Sequence, residues 1–571
     1  MTYDRRAFME YFATAGLGST LLPGVLWAQV AAGAEITAAT VKCAEEIAGL
    51  SFDDDEREMM VAGLRTNEAR IRALHAVELS NGESPVLTFN PLPPGRSIPP
   101  EPPRTGARRG PAPRMVPSNL EELAFASVVE LSALMRARRI TSSQLTDMYL
   151  ARIKRLDPSL HSVITLTEER ARAQARAADL EIARGRYRGP LHGIPWGAKD
   201  LLAVRGYKTT WGAGPYREQV IDEDATVVQR LDAAGAVLLA KLSLGELAQG
   251  DVWFGAMTRN PWKLDQGSSG SSAGPAGATA AGLVAFAIGS ETLGSISSPS
   301  TRCGVTGLRP TYGRVPKTGA MALSWTMDKL GPICRSAEDC ALVLEAISGA
   351  DGRDASAVAP PFVTDTRLRL REIRVGYFKS SFDVPEMDPE NATRTLHATK
   401  SFDDAALSVL RGRGASLVPV EIPDLPYDAM RIILTAEAAA AFDALTRSNR
   451  DRELVQQTRN DWANTFRVAR FIPAVDYINA NRLRSRAIAA WDKLFESVDV
   501  IVTPTSVAGN QQLVATNLTG HPAVILPHGF RPDGTPVSLT FLGSLFGEGR
   551  LLAVASAYQR ETTFHLRHPV L

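Results

Sequence analysis

The chain has 571 residues, with 63 Lys and Arg against 62 Asp and Glu, a formal net charge of +1. That balance lacks the basic surplus that drives nucleic-acid binding, so no nucleic-acid partner is expected. Hydrophobic residues make up 44% and charged residues 22%, which excludes bulk disorder and allows a large buried core. Four cysteines (Cys43, Cys303, Cys334, Cys340) are too few for a disulfide scaffold. With neither a Cys-x-x-Cys nor a His-Glu-x-x-His pattern, no metal site is read and no cofactor is expected.

The N-terminus opens Tyr3-Asp4-Arg5-Arg6-Ala7-Phe8-Met9, and no charged residue lies between Tyr11 and Ala34. Paired arginines before an uncharged run form the pattern of a twin-arginine export signal, and Ala32-Gly33-Ala34 offers a small-residue cleavage site. A membrane-spanning helix is the competing reading, because the run is long enough. Pro23 and four glycines in the run argue against it. Residues 1–34 are therefore expected to be a removed signal, leaving a periplasmic protein with no stable membrane insertion.

Residues 35–90 carry apolar positions at helical spacing, among them Val41, Ile47 and Leu50, then Met59, Met60, Leu64 and Ile71. They are read as a small helical module that packs or docks. In residues 91–114, nine of 24 positions are proline and five are arginine. Such a segment is neither helix nor central strand, so it is expected to be a semi-rigid linker or a strap over the surface.

Regular patterning fills residues 115–571. Thr141-Ser142-Ser143-Gln144 is a capping-box signature before the stripe Leu145, Met148, Tyr149 and Ile153. Gly235 to Ala240 reads as a buried strand entering a helix. A helix is expected over Ala337 to Ile347, a strand over Ile373 to Tyr377, a helix over Tyr477 to Phe495 and a strand over Val498 to Val502. This alternation predicts an α/β architecture.

Three segments carry the chemistry. The first is Pro190-Leu191-His192-Gly193-Ile194-Pro195-Trp196-Gly197-Ala198-Lys199-Asp200, the second Gly267-Ser268-Ser269-Gly270-Ser271-Ser272-Ala273-Gly274, the third Gly289-Ser290-Glu291-Thr292-Leu293-Gly294-Ser295-Ile296-Ser297. A lysine in an apolar, proline-bounded segment is a candidate base, because desolvation lowers its pKa. Serines among glycines present uncovered hydroxyls, and Gly-rich turns aim backbone N–H groups at one point. The combination suits acyl transfer by an activated serine. Rival readings exist for each part. Gly267 to Gly274 also reads as a flexible linker, or as a nucleophile elbow with Ser272 as nucleophile and His521, His528, His565 or His568 as base. The elbow needs a preceding buried strand, and Asn260 to Gln266 shows no strand pattern. Lys199 also reads as a structural lysine beside Asp200, and Cys303 as core packing.

The three segments resemble the amidase signature enzymes from about residue 118 to the C-terminus, with Lys199, Ser271 and Ser295 at the family's spacing. The blocks Gly307-Leu308-Arg309-Pro310-Thr311-Tyr312-Gly313-Arg314-Val315, Asp328-Lys329-Leu330-Gly331-Pro332 and Asn517-Leu518-Thr519-Gly520-His521-Pro522 also match. The resemblance implies a large mixed sheet covered by helices on both faces, to which the helical pattern of residues 35–90 adds a small N-terminal appendage. It further implies a Ser–cis-Ser–Lys triad: Lys199 as base, Ser271 after a cis peptide with Gly270, and Ser295 as nucleophile. Backbone N–H groups of Thr292, Leu293, Gly294 and Ser295 form the implied oxyanion hole, and Gly270 and Ser272 are supporting residues of the site. The implied activity is hydrolysis of a small-molecule carboxamide, with esters or carbamates as side substrates, by a chain that can form a homodimer. The alternative is the amide-hydrolysing A subunit of a tRNA-dependent amidotransferase.

Two departures from the family pattern bear on the site. Leu293 replaces a glycine, which would add strain if that position needed positive φ. Ser297 replaces an arginine that in some members binds an acidic substrate group. Glu291, where the family has aspartate, is expected to pair with Arg302. Specificity is expected to come from Ser380 to Arg484, whose aromatics Phe382, Tyr427, Phe442, Trp462 and Phe466 read as core.

Overall fold

The computed structural model describes residues 36–48, 53–75, 81, 87, 89–102, 112, 115–364 and 370–571. The segment read as an export signal, 1–34, lies outside the described residues.

A strand buried on both faces is mostly apolar, and the central strands are so except toward their ends, where Lys199, Lys241, Ser290, Glu291 and Lys329 are buried. The described strands in chain order are β1 Val163–Leu166, β2 Pro195–Lys199, β3 Val237–Leu242, β4 Val252–Trp253, β5 Ala256–Met257, β6 Arg259–Asn260, β7 Lys263–Gly267 and β8 Phe286–Glu291. They continue as β9 Thr306–Arg309, β10 Lys329–Cys334, β11 Val375–Phe378, β12 Leu417–Val420, β13 Val500–Pro504, β14 Ala523–Phe530 and β15 Pro536–Gly543. Eleven of them make one mixed sheet in the order β1-β3-β2-β8-β10-β9-β14-β15-β13-β11-β12. Two-stranded hairpins β4-β5 and β6-β7 stand apart. Every residue of β2, β3, β8 and β10 is buried. The fold is the α/β class expected, a large mixed sheet under helices.

Sequence signals explain several of those helices. Thr141 and Gln144 cap the helix Ser142–Leu160 reciprocally, at 2.9 Å and 3.1 Å. Helices Ala337–Ile347 and Ala474–Ser497 and strands β11 and β13 fall where expected. Two readings need correction. Strand β3 follows the helix Thr226–Ala233 and leads into a loop with a single 3-10 turn, Glu246–Ala248, not into a helix. A strand, β7, does precede the Gly/Ser loop, but it belongs to a partly exposed hairpin outside the main sheet.

Two N-terminal helices, Ala38–Ala48 and Asp54–His75, pack Ile36 and Val41 against Met60 and Leu64. Asn81 and residues 89–102, the described start of the proline-rich stretch among them, then lie against the catalytic core as a strap. Asn81 pairs with the backbone of Ala322. The ring of Phe89 meets Tyr312 edge-on at 5.0 Å and lies 3.5 Å from the Arg484 guanidinium. Arg96 bridges Asp492 at 2.8 Å and Glu496 at 2.5 Å. Leu92 and Ile98 pack on Ala359, Leu545 and Phe546, and Glu101 pairs with Arg314. Proline fixes φ and removes N–H donors, so side chains must make these anchors.

Candidate active site

Strand β2 ends at Lys199, and its neighbour β8 ends at Glu291 just before the Thr292 to Ser295 turn. The Gly/Ser loop between β7 and the helix Ala273–Ala280 folds over both ends. Nonlocal strand pairing thus brings the three chemical segments together.

Lys199 is fully buried, and its Nζ donates to three hydroxyls: Ser271 Oγ at 2.8 Å, Ser290 Oγ at 2.9 Å and Ser272 Oγ at 3.1 Å. Among the described residues no carboxylate pairs with it. Burial pushes the amine well below its ordinary range, against the opposing charges of Asp328 and Glu291. Asp200, the adjacent acid, turns instead to Lys241 at 2.6 Å.

The Gly270-Ser271 peptide is cis. A Cβ at position 270 would lie 1.7 Å from the Gly250 carbonyl oxygen, so only glycine fits there. Ser272 is fully buried and committed: its Oγ accepts from Ser290 N–H and donates to Ser290 O, both at 3.1 Å. The histidines of the elbow reading are engaged elsewhere: His521 with Thr519, His528 with Asp403, and His568 stacked on Phe125. His565 lines a separate small pocket beside Trp262 and Cys303.

Ser295 is tied to this loop through its carbonyl, which accepts from Ser272 N–H at 3.0 Å. Its Oγ has no hydrogen-bond partner among the described residues, and neither do the N–H groups of Leu293, Gly294 and Ser295. Gly294 takes φ +90, whereas Leu293 is not in the left-handed region. The strain considered for Leu293 therefore does not arise, because the positive-φ position of the turn is the retained glycine.

Glu291 holds the turn from beneath. Its Oε2 accepts from Ile296 N–H at 2.9 Å and from both the N–H and Oγ of Ser297 at 2.8 Å. Its other oxygen pairs with Arg309 at 2.7 Å and accepts from Asn517 at 2.8 Å. The expected pairing with Arg302 is thus corrected to Arg309, on β9 across the sheet. Burial opposes the Glu291 charge, but Arg309, Asn517 and Ser297 outweigh it and hold the carboxyl at about 2.

A cavity of about 210 Å³ reaches Ser290 and Thr292 and is walled by Leu201, Met321, Trp325 and Asp328. Asp328 accepts from Thr292 Oγ1 at 2.6 Å and from Leu323 and Ser324 N–H at 2.8 Å and 3.0 Å. Sequence reasoning assigned no role to Ser290, Asp328 or Arg309, although all three lie in motifs it singled out. Phe382, Tyr427, Phe442, Trp462 and Phe466 are buried, as core residues should be. Cys303 is buried, and burial pushes its thiol up, away from nucleophile range.

A lysine amine whose pKa burial lowers, donating to three serine hydroxyls beside a turn whose N–H groups have no partner among the described residues, defines an amide-hydrolase type of site. A family profile described as Amidase matches residues 144–513, and the chain belongs to that family. The A subunit of glutamyl-tRNA(Gln) amidotransferase from Methylococcus capsulatus is 36% identical over 488 residues, spanning 78% of this chain and 98% of the relative. The same-named protein of Roseiflexus sp. is 36% identical over 483 residues, spanning 77% and 96%. The native peptide amidase from Stenotrophomonas maltophilia superposes with TM-score 0.67 at 31% identity, covering 78% of this chain and 98% of that one. The protein is accordingly an amidase-type hydrolase of C–N bonds.

Proposed function

We propose that this chain cleaves a carboxamide C–N bond through Lys199, Ser271 and Ser295. The observation that carries the reading is a buried lysine, paired with no described carboxylate, 2.8 Å from Ser271 Oγ. Neutral Lys199 accepts a proton from Ser271, which takes one in turn from Ser295 as that oxygen attacks the carbonyl. The N–H groups of Thr292, Leu293, Gly294 and Ser295 receive the developing oxyanion. Ser271 then returns a proton to the leaving amine, and water hydrolyses the acyl-enzyme. The test is a serine-directed phosphonylating reagent, which should label Ser295 and leave Ser272 untouched. Hydroxylamine added during turnover should yield hydroxamate. Label on Ser272 would sink this reading.

Two settings for the chemistry compete. Relatives spanning most of this chain are named as A subunits of a tRNA-dependent amidotransferase, and this gives that setting the stronger support from comparison. A free-standing exported amidase of small-molecule amides is supported by Arg5-Arg6 and by Ser297. The Ser297 hydroxyl is turned to Glu291, so the site offers no cation there for an acidic substrate group such as the glutamine carboxylate. Cell fractionation and native purification separate the two. A cytoplasmic protein that co-purifies with other subunits and hydrolyses glutamine establishes the first setting. A processed periplasmic protein, retained in the cytoplasm when Arg5 and Arg6 become lysine, establishes the second.

A further inference from the structure

We propose that Asn81, in the N-terminal extension, is a positioning residue that sets the oxyanion turn through the cavity wall. Asn81 lies well before residue 144, where the family match begins. Its carboxamide makes a two-point contact with one backbone unit: Oδ1 accepts from Ala322 N–H at 2.6 Å and Nδ2 donates to Ala322 O at 2.9 Å. Among the described residues these are the only partners of the Ala322 backbone polar groups.

The wall on either side of Ala322 is held by its own domain, and Ser324 is further tied through its Oγ to Glu437 at 2.6 Å. Met321 N–H donates to Leu201 O at 3.0 Å, and Ala320 bridges Leu202. At Ala322 itself Asn81 takes the place of a neighbouring strand. Directly after Ala322, the N–H groups of Leu323 and Ser324 donate to Asp328, and the other Asp328 oxygen accepts from Thr292 Oγ1. A buried carboxylate keeps its place only while its donors keep theirs. A shift of the wall therefore displaces Asp328, and Asp328 carries the shift to Thr292, where the oxyanion turn begins. Ala322, Leu323, Asp328 and Thr292 all line the same cavity. Asn81 touches no reacting atom and acts wholly through these groups.

The inference rests on the triad reading for Ser295, so the experiment reads both. Full-length wild type, Asn81→Ala, Asn81→Asp and Arg96→Ala are compared at a temperature where each is fully folded. The readouts are the rate of Ser295 phosphonylation by a fluorophosphonate and the kcat and KM for one amide. Arg96 anchors the same strap on Asp492 and Glu496, does not line the cavity, and controls for loosening of the extension. Asn81→Ala should slow phosphonylation and lower kcat by about tenfold, the loss expected from one misplaced hydrogen bond. Asn81→Asp keeps the acceptor but sets a carboxylate against Ala322 O, so it should be slowed as well. Arg96→Ala should stay within twofold of wild type in both rates. Equal rates for Asn81→Ala and wild type, with only a lowered melting temperature, would overturn the inference alone. Equal slowing by Arg96→Ala would overturn it too, since the strap would then act only as packing. Wild type that does not react at Ser295 would overturn the triad reading and this inference with it.

Discussion

Two fully buried lysines stand on adjacent parallel strands, Lys199 on β2 and Lys241 on β3, with Lys241 in register with Ala198. Burial depresses both amines. Lys241 meets Asp200 at 2.6 Å, Thr209 Oγ1 at 2.7 Å and Lys208 O at 2.8 Å, so charge is answered by charge. Among the described residues, Lys199 donates only to serine hydroxyls. The residue type and depth are the same, and the partner set alone distinguishes the ion-paired Lys241 from Lys199, the proposed base. A carboxylate one residue away in sequence does not make Lys199 structural, because Asp200 points to the other strand.

Four experiments would break or sharpen that contrast. Ser295→Ala should remove turnover altogether, measured as amine release. Lys199→Ala should lower kcat by roughly 10²–10⁴-fold, the usual contribution of general base catalysis. Adding Ser271→Ala to it should cost far less than the two single losses combined, because the pair acts as one relay. Lys241→Met should do the opposite: it strands the Asp200 carboxylate in the core and costs about 3–5 kcal/mol in denaturant unfolding. Its folded fraction should keep near-normal kcat. If Lys241→Met were as dead as Lys199→Ala while remaining folded, the division between the two lysines would fail.

Ser290→Ala should be milder, about tenfold in kcat, because Lys199 keeps two of its three acceptors. The pH profile completes the set. Only the neutral amine accepts a proton, so activity rises with pH. Burial lowers the Lys199 pKa, so the rise should be complete below the ordinary lysine range, near 10.4. Ser290→Ala should move that limb, and a substitution at Arg96 should not.

The triad candidates were legible because each sits in a contiguous segment with its own signature: a Gly-Ile-Pro lead, a Gly/Ser loop and a Gly-Ser turn. What was hidden depends on which strands become neighbours. Ser290 reaches Lys199 only because β8 pairs with β2. Glu291 reaches Arg309 because β9 lies one strand beyond β10, although Arg302 is nearer in sequence. The Pro-rich composition argues only against helix or central strand, and prolines lack the side-chain chemistry that would reveal where the N-terminal extension anchors. Those anchors, Asn81, Phe89, Arg96 and Glu101, are single residues with no period or motif around them.

The junction of the strap with the cavity wall is made within one polypeptide. Its strength is therefore governed by an effective concentration, on the order of millimolar for short tethers, and not by how much protein a cell makes. A wall braced by a separate chain would lose its brace once diluted below the dissociation constant. Here Asn81 and Ala322 dilute together, so dilution by itself should not detach the brace.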